Sequence, residues 1–275
     1  MPRPGFPGTW AQLLEEVGGR TSLFNHLYYY LMIVNSTPAG WQVIYQQAHA
    51  LLAAQLMWHW PPLGPADQFV GLLTAVAQHD DEQDDWYGRG GHHGLTPAGA
   101  PANFTQVEFS MEQARGVIEA ARFQGRWRSL LTSLHLSALH EELRGSKEAD
   151  AFLDKLLAGQ EQWRQELKIT KKVARQAYDL LHWCDRLSLI LCRQEIPEMG
   201  RAVEIYRGPD GIVHTLAQPQ AGGPVVVSPW PFREKEVAVS LEASVLTQLQ
   251  FKDDAELAEA LRAAPIETLR WTLRQ

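Results

Sequence analysis

A histidine and an aspartate stand side by side at positions 79 and 80, where a run of apolar residues with helical spacing ends. His79 follows Leu72 by seven residues and Val76 by three, and Asp80 follows Val76 by four. This spacing places both polar side chains on the helix face that turns toward the core. A buried carboxylate beside a buried imidazole needs an opposite charge or a full set of hydrogen bonds. A divalent cation would supply that charge, so the pair is predicted to bind a metal ion.

Two further ligand-type side chains interrupt apolar helical stretches elsewhere in the chain. His49 occupies the apolar face of a predicted helix, and Asp185 stands four residues after Leu181 and four before Leu189. With the His-Asp pair they make a set of two nitrogen and two oxygen ligands that leaves coordination positions for water. Such a set suits Mn, Fe, Co or Zn. We therefore predict a site for one divalent ion, or for two.

The same residues also allow interpretations without a metal. His79 could be a helix-end histidine bonded to a capping Asp80, and His49 could be a core histidine with its hydrogen bonds satisfied. Asp185 could pair with an arginine such as Arg186. We favour the metal site because three predicted helices each place ligand-type side chains among apolar neighbours, where a solvent-exposed role does not fit.

Other histidines lie near the predicted ligands in sequence or on similar faces. His135 shares an inward face with Leu131, which leaves open whether it binds a second ion, supports the first ligands or is an ordinary core residue. His140 lies five residues later, about 140° round the helix, so the two cannot easily bind one ion. His182 precedes Asp185 by three residues and could join the site, although a structural role is favoured.

A long loop rich in Gly, Pro, His and acidic residues follows the His-Asp pair. A loop of that length without structure of its own is functional or disordered in most domains. We interpret its histidines and acids as solvated, and leave open a role for the acids in binding a second ion or in positioning substrate. These side chains are His92, His93, Asp81, Glu82, Asp84 and Asp85.

The elements that would position these side chains form a mainly α, α+β architecture. Residues 1–30 are a Pro- and Gly-rich N-terminal extension, residues 31–200 a helical metal-binding body with a leading β-hairpin, and residues 201–275 a β-rich region packed on that body. We expect the hairpin and the C-terminal segment to share one accessory antiparallel β region. Strands are predicted at 31–35, 41–45, 203–206, 212–216, 225–228 and 236–241, and helices at 46–60, 65–79, 110–123, 127–143, 149–163, 170–193 and 255–263.

The order of the predicted ligands resembles the HD-domain superfamily of metal-dependent phosphohydrolases: a His, then His-Asp about thirty residues later, then a lone Asp in a late helix. From about Met32 onward the chain is more closely similar to DUF3891, a family of uncharacterised bacterial proteins. The resemblance implies an HD-domain-like helical bundle with a metal site at the four ligands, and leaves the reaction undefined. It is carried by Met-Ile-Val (32–34), Gly-Trp (40–41), Gln-Ala-His-Ala-Leu-Leu-Ala-Ala-Gln-Leu (47–56), His-Trp (59–60), His-Asp-Asp (79–81), Pro-Ala-Asn-Phe (101–104), Ser-Leu-His (133–135), Trp-Cys-Asp-Arg-Leu-Ser-Leu (183–189) and Pro-Trp-Pro-Phe (229–232).

Two departures from these patterns bear on the substrate. The DUF3891 pattern runs quickly from the His-Asp pair to Gly-Trp, whereas here Glu82 to Asp85 intervene before Trp86. Many HD phosphohydrolases place a lysine shortly after the pair, where it can meet a phosphate, and this chain has acidic residues there. Because an acidic rim repels a polyanion, hydrolysis of nucleoside triphosphates is disfavoured.

The expected function is a metal-dependent hydrolase acting on a small phosphoester. The ion would lower the pKa of a bound water toward neutrality and polarise a substrate oxygen. Asp80 and His135 are the catalytic candidates, and Arg186 or Arg89 could neutralise developing charge. Two alternatives stay open: a diiron HD-like oxygenase, in which His135 would bind the second iron, and a non-catalytic metal-binding structural or interaction module.

Composition narrows the class of protein. The chain has 275 residues, 45% of them apolar, and a formal net charge of −7 without a basic arm, which argues against a general nucleic-acid binder. Its two cysteines, Cys184 and Cys192, fit a reducing cytoplasm and exclude a disulfide framework. The apolar run at 27–34 is too short to span a bilayer. We expect a cytoplasmic protein that takes a small-molecule substrate and binds neither nucleic acid nor membrane. The sequence leaves the oligomeric state open, and an apolar β edge would allow a homodimer.

Overall fold

The computed structural model describes residues 32–79, 94–104, 111–197 and 199–275, and these ranges contain seven α-helices and seven β-strands. Within them, no helix is both long and apolar enough to cross a membrane. The strands are β1 (Met32–Thr37), β2 (Gly40–Tyr45), β3 (Ala202–Arg207), β4 (Val213–Ala217), β5 (Val225–Ser228), β6 (Glu236–Leu246) and β7 (Ile266–Arg274). The helices are α1 (Gln46–His59), α2 (Ala66–Ala77), α3 (Met111–Phe123), α4 (Arg126–His140), α5 (Lys147–Glu166), α6 (Lys171–Cys192) and α7 (Asp254–Ala263).

All seven strands belong to one sheet, in the order β1-β2-β6-β7-β5-β4-β3. Neighbouring strands are antiparallel except β5 and β7, which run parallel. The prediction that the N-terminal hairpin and the C-terminal segment share a sheet is confirmed. The hairpin turn depends on Gly40, whose φ of 131° suits glycine and whose Cα approaches Leu246 so closely that a Cβ would lie 2.1 Å from its carbonyl oxygen.

The predicted fold class, a mainly α, HD-domain-like helical bundle with an accessory β region, is wrong. The protein is an α+β fold whose mixed sheet curves as a half-barrel and forms one whole wall of the core. The 11-residue strand β6 shows why. Buried side chains alternate with more exposed ones along most of the strand, and the buried ones at Val237, Val239, Leu241 and Ala243 form one face. Because this face is apolar throughout, the sheet must be covered by helices and cannot be peripheral.

The main core lies between the inner face of the sheet and helices α1 and α6. At its centre, the ring of Trp183 from α6 meets Trp60 at 5.1 Å and Phe232 at 5.7 Å between centroids, both edge to face. Such contacts add to the burial of large aromatic surface. They fix the C-terminal end of α1 against the middle of α6, and these two helices carry His49 and Asp185.

A side-chain bracket holds α1 against the sheet where strand pairing stops. Strand β2 pairs with β6 only over Ser244–Leu246, so within the described ranges the backbone of Ser240 has no strand partner on that side. The amide of Gln55 takes its place, donating to the Ser240 carbonyl at 2.8 Å and accepting from the Ser240 N–H at 3.1 Å. The bracket satisfies backbone groups that would be costly to leave unbonded in the core.

The opposite face of β1 and β2 is covered by a second apolar cluster built around α7. It contains Met32, Val43, Leu246, Phe251, Leu257 and Leu261. Met32 and Ile33 are neighbours in β1 and point to opposite cores, as the two-residue period of a strand requires. The hairpin is therefore buried on both faces, which fixes the point where β2 passes directly into α1.

Candidate metal centre

Three polar side chains from three segments meet at one buried point. His49 lies in the first turn of α1, immediately after β2, and His79 follows the C-terminal end of α2. Asp185 lies in the second half of α6, among residues that pack in the main core. All three are buried, and only the side chain of Asp185 keeps some exposure, at 11%. The inward faces predicted for His49, His79 and Asp185 are confirmed.

The ligand-type atoms of the three side chains form a nearly equilateral triangle. The distances are 3.1 Å from His49 Nε2 to His79 Nε2, 3.2 Å from His79 Nε2 to Asp185 Oδ1, and 3.4 Å from His49 Nε2 to Asp185 Oδ1. For metal–ligand bonds of about 2.1 Å, neighbouring ligand atoms lie about 3.0 Å apart in an octahedron and about 3.4 Å apart in a tetrahedron. The triangle has the size of one face of a coordination sphere.

Hydrogen bonds on the far side of each imidazole define which nitrogen carries the proton. His79 Nδ1 donates to the Val76 carbonyl at 2.7 Å. The Ser188 hydroxyl donates to the Asp185 carbonyl at 2.8 Å, because a carbonyl can only accept, and it therefore accepts from His49 Nδ1 at 2.8 Å. In the neutral imidazoles both Nε2 atoms then carry a lone pair, and both lone pairs face the carboxylate.

This arrangement of lone pairs and charge calls for a cation. Burial would raise the pKa of Asp185, but His79 and His49 hold that pKa well below its ordinary value when their Nε2 atoms carry protons toward the carboxylate. Two nitrogen lone pairs and a carboxylate oxygen within 3.4 Å repel one another unless a proton or a metal ion lies between them. The three residues could hold a metal ion, since their ligand atoms all lie within 4.8 Å of one another.

Comparison with known proteins identifies the family of the chain. The model of the family described as "Protein of unknown function (DUF3891)" matches residues 32–248. This chain belongs to DUF3891. No curated protein and no solved structure matches it. All three residues of the triangle lie inside the matched region, as does Ser188.

Several other residues predicted for the site of this DUF3891 protein fall in the segment 80–93, which the structure does not describe. Asp80 lies outside the described residues, so its role as fourth ligand and catalytic residue stays a prediction. The same holds for Arg89 and for the histidines and acids predicted in the loop, namely His92, His93, Asp81, Glu82, Asp84 and Asp85.

His135 lies beside the triangle without being one of its corners. It is buried on α4, and its ring stands edge-on to that of His79 with 5.5 Å between centroids. The ring of His182 lies 6.4 Å from that of His135 and stacks on that of Tyr206 at 4.0 Å, both measured between centroids. Its Nδ1 shares a 2.8 Å hydrogen bond with the Tyr178 hydroxyl. The described residues thus continue from the triangle into a row of aromatic and imidazole rings, and metal binding by His135 stays a prediction.

Two residues that support the site in this DUF3891 protein were missed from the sequence. Ser188 orients His49, as described above. Arg128, buried on α4, donates from Nη2 to the carbonyl of Gln78 at 2.9 Å and also contacts the Thr132 hydroxyl. Gln78 is the residue that ends α2 and precedes His79, so Arg128 holds the helix end from which His79 projects. The spacing of Arg128, Thr132 and His135 along one helix face was the available signal.

Replacing Ser188 by alanine tests its role in orienting His49. Without an acceptor at Nδ1, His49 loses the bond that fixes its tautomer, and loss of such a partner lowers metal affinity roughly ten- to a hundredfold. Titration with Co²⁺ or Zn²⁺ measures this change. The matched control is Ser133→Ala on α4, because Ser133 is equally buried and donates to the Leu156 carbonyl, away from the triangle. Equal affinity losses in both variants would contradict the proposed role.

His140, at the C-terminal end of α4, makes a separate prediction about acid stability. Burial lowers its pKa from 6.5 to about 4, so the unfolded chain binds a proton at this position that the folded chain does not accept until lower pH. The unfolding free energy should therefore fall as the pH drops from 6.5 toward 4. In His140→Gln this fall should be shallower than in the wild type. Urea unfolding of both proteins after chelator treatment, at several pH values, measures this dependence. Identical slopes of unfolding free energy against pH would contradict a buried, neutral His140.

Proposed function

We propose that this DUF3891 protein is a metal-dependent hydrolase of small phosphoesters. The observation that carries the proposal is the triangle of His49, His79 and Asp185, with both imidazole protons directed away from it. Two neutral imidazoles and a carboxylate are a common protein ligand set for catalytic zinc and related ions, in which open positions remain. We propose Mn, Fe, Co or Zn as the ion, with Asp80 as a further ligand.

The residues around such a site would have separate roles. A divalent ion bound there supplies a Lewis acid and a water of lowered pKa. His49 and His79 are almost completely buried, whereas the carboxylate of Asp185 keeps 11% exposure, so we place the approach of substrate on the Asp185 side. Arg128 and Ser188 keep the two histidines in place, and this rigidity favours a fixed arrangement of ligands.

The choice of a phosphoester rests on two features of the sequence. A His, a later His-Asp pair and a late Asp stand in the order used by HD-domain metal-dependent phosphohydrolases, although the large sheet sets the fold apart from a helical bundle. The acidic residues Asp81, Glu82, Asp84 and Asp85 favour substrates of modest charge. A phosphomonoester or diester fits this better than a triphosphate does.

Metal analysis combined with a substrate panel tests the proposal. The protein is purified without added metal and its metal content is measured, and then phosphomonoesters, cyclic diesters and nucleotides are assayed with Mn²⁺, Co²⁺ and Zn²⁺. We expect one equivalent of a divalent ion and metal-stimulated turnover of monoesters or diesters. A protein that binds no ion, or that binds one and turns over nothing, would contradict the hydrolase function.

A second candidate function, oxygen activation at two irons, is favoured only by the position of His135. A second ion near His79 would need an additional ligand, and the ring of His135 stands 5.5 Å from that of His79. Replacement of His135 by glutamine should leave the metal content unchanged if His135 only packs beside the site. Loss of one equivalent from a folded variant, together with visible absorption and oxygen consumption by the wild type, would instead support the diiron oxygenase. Circular dichroism confirms that the variant is folded.

A further inference from the structure

A cavity of about 490 Å³ opens between the C-terminal end of α3, the start of α4 and the middle of α5. We call it the α3–α5 cavity. Its volume lies in the range of pockets that hold small-molecule ligands. Residue spacing along α4 separates it from the metal centre: Arg126 and Ser129 at the cavity precede His135 by nine and six positions, or roughly 13 and 9 Å along the helix.

The charged residues that line the α3–α5 cavity are cations. Arg122, Arg126 and Lys155 line it, and none of its described lining residues is acidic. Arg122 pairs with Glu119 at 3.1 Å and Arg126 with Glu166 at 2.7 Å, both at exposed positions where ion pairs are weak and easily exchanged. Lys155 forms no ion pair within the described part of the chain. An anion entering the cavity would meet Lys155 and two arginines whose exposed glutamate partners it could displace.

Backbone groups add to this field. Helix α4 begins at the cavity with Gly125 as its N-cap, and glycine has no side chain that could cap that end. The first turn of a helix presents unbonded N–H groups and the positive end of the helix dipole. The Ser129 hydroxyl, one turn into the helix, lines the same cavity and donates to the Gly125 carbonyl at 3.1 Å. The cations and the helix end therefore favour the same sign of ligand.

One wall of the cavity is aromatic. The indole of Trp163 lies against Gly159 on α5, so closely that a Cβ on that glycine would lie 3.0 Å from the ring. Glycine at position 159 lets the ring lie along the helix and line the cavity beside Lys155. The combination of an aromatic lining residue and several cations suits a ligand that carries both phosphate groups and a planar ring.

We propose that the α3–α5 cavity binds a small phosphate-bearing molecule, with room for a nucleotide, at a site separate from the metal centre. The cations and the start of α4 would contact the phosphate groups, and Trp163 would line the remainder of the ligand. The proposal does not depend on the proposed hydrolysis, because none of the three metal-site residues lines this cavity.

Calorimetric titration with ATP tests the site. The full-length protein is first treated with a chelator, and no metal is added, so that phosphate cannot bind through an ion at the metal centre. We expect saturable binding of one equivalent that weakens as salt is raised. Arg122→Glu should weaken it roughly tenfold or more, since it replaces an attraction by a repulsion. Lys155→Gln should weaken it less, and adenosine without phosphate should bind far more weakly than ATP.

The chain offers a closely matched control for Arg122→Glu. Arg262 on α7 pairs with Glu259, three residues before it, at 3.2 Å, just as Arg122 pairs with Glu119, and both arginines are exposed. Arg262→Glu changes the net charge by the same amount and should leave ATP binding unchanged. The proposal is overturned if the wild type does not bind ATP, if both arginine variants lose the same affinity, or if adenosine binds as tightly as ATP. His79→Gln, which removes one metal ligand, should keep full ATP binding.

Discussion

Removing the proposed ion from the site formed by His49, His79 and Asp185 should lower the melting temperature by on the order of 10 °C. A ligand that binds only the folded state, at a concentration about a thousandfold above its Kd, stabilises that state by about 4 kcal/mol. For a chain of this size, each kcal/mol shifts the midpoint by about 2–4 °C. Differential scanning calorimetry of the protein before and after chelation, with metal content measured in both samples, gives the shift.

The control for chelation is a variant that lacks the site. In Asp185→Asn the amide keeps the shape of the side chain but loses the charge that an ion requires, so chelator should leave its melting temperature unchanged. We also expect the metal-free wild type and the metal-free variant to melt within a few degrees of each other. If verified metal removal leaves the wild-type midpoint where it was, the buried triangle is held by protons and hydrogen bonds alone.

The individual elements were predictable because each has a strong local pattern. The hairpin at residues 32–45 has β-favouring runs around a Pro-Ala-Gly turn, and α6 has a long apolar stripe with helical spacing. These features depend on neighbours a few residues apart. The importance of the sheet was not predictable in this way, because β2 and β6 lie about 200 residues apart in the chain, and their pairing involves only Trp41–Val43 and Ser244–Leu246. Long-range pairing of short strands leaves little trace in a single sequence.

The residues of the site also differ in whether a local pattern could reveal them. His49, His79 and Asp185 could be found because each is a polar interruption of an apolar helix face, which is costly unless the side chain is compensated. Arg128 shares a helix face with Thr132 and His135, but neither this spacing nor the position of Ser188 showed a role, because a serine or arginine on a helix is common and becomes meaningful only when its partner is known. The partner of Ser188 is His49, 139 residues away, and that of Arg128 is the Gln78 carbonyl.

The large sheet changes how the order of histidines and aspartates in the sequence is interpreted. In this protein His49 follows a strand without any linker, since β2 ends at Tyr45 and α1 begins at Gln46. The position of His49 is therefore set by the hairpin and by the Gln55–Ser240 bracket, and not by packing among helices alone. A similar order of ligands in sequence is thus compatible with a different architecture around them, which is why function must be argued from the site rather than from the fold.

Asp185→Asn should reduce turnover of small phosphoesters on the order of a thousandfold, because loss of the ion removes several kcal/mol of transition-state stabilisation. The matched control is Asp179→Asn on the same helix. Asp179 is also a buried carboxylate, but it lies six residues earlier and pairs with Arg175 at 2.7 Å. Burial raises the pKa of Asp179, partly offset by Arg175, so its replacement removes a structural contact and leaves the triangle intact. Initial rates with Mn²⁺ or Co²⁺, on variants shown to be folded, should therefore separate the two aspartates. Equal losses in both would mean that activity depends on the integrity of α6, and turnover retained by a metal-free Asp185→Asn would place the chemistry elsewhere in the molecule.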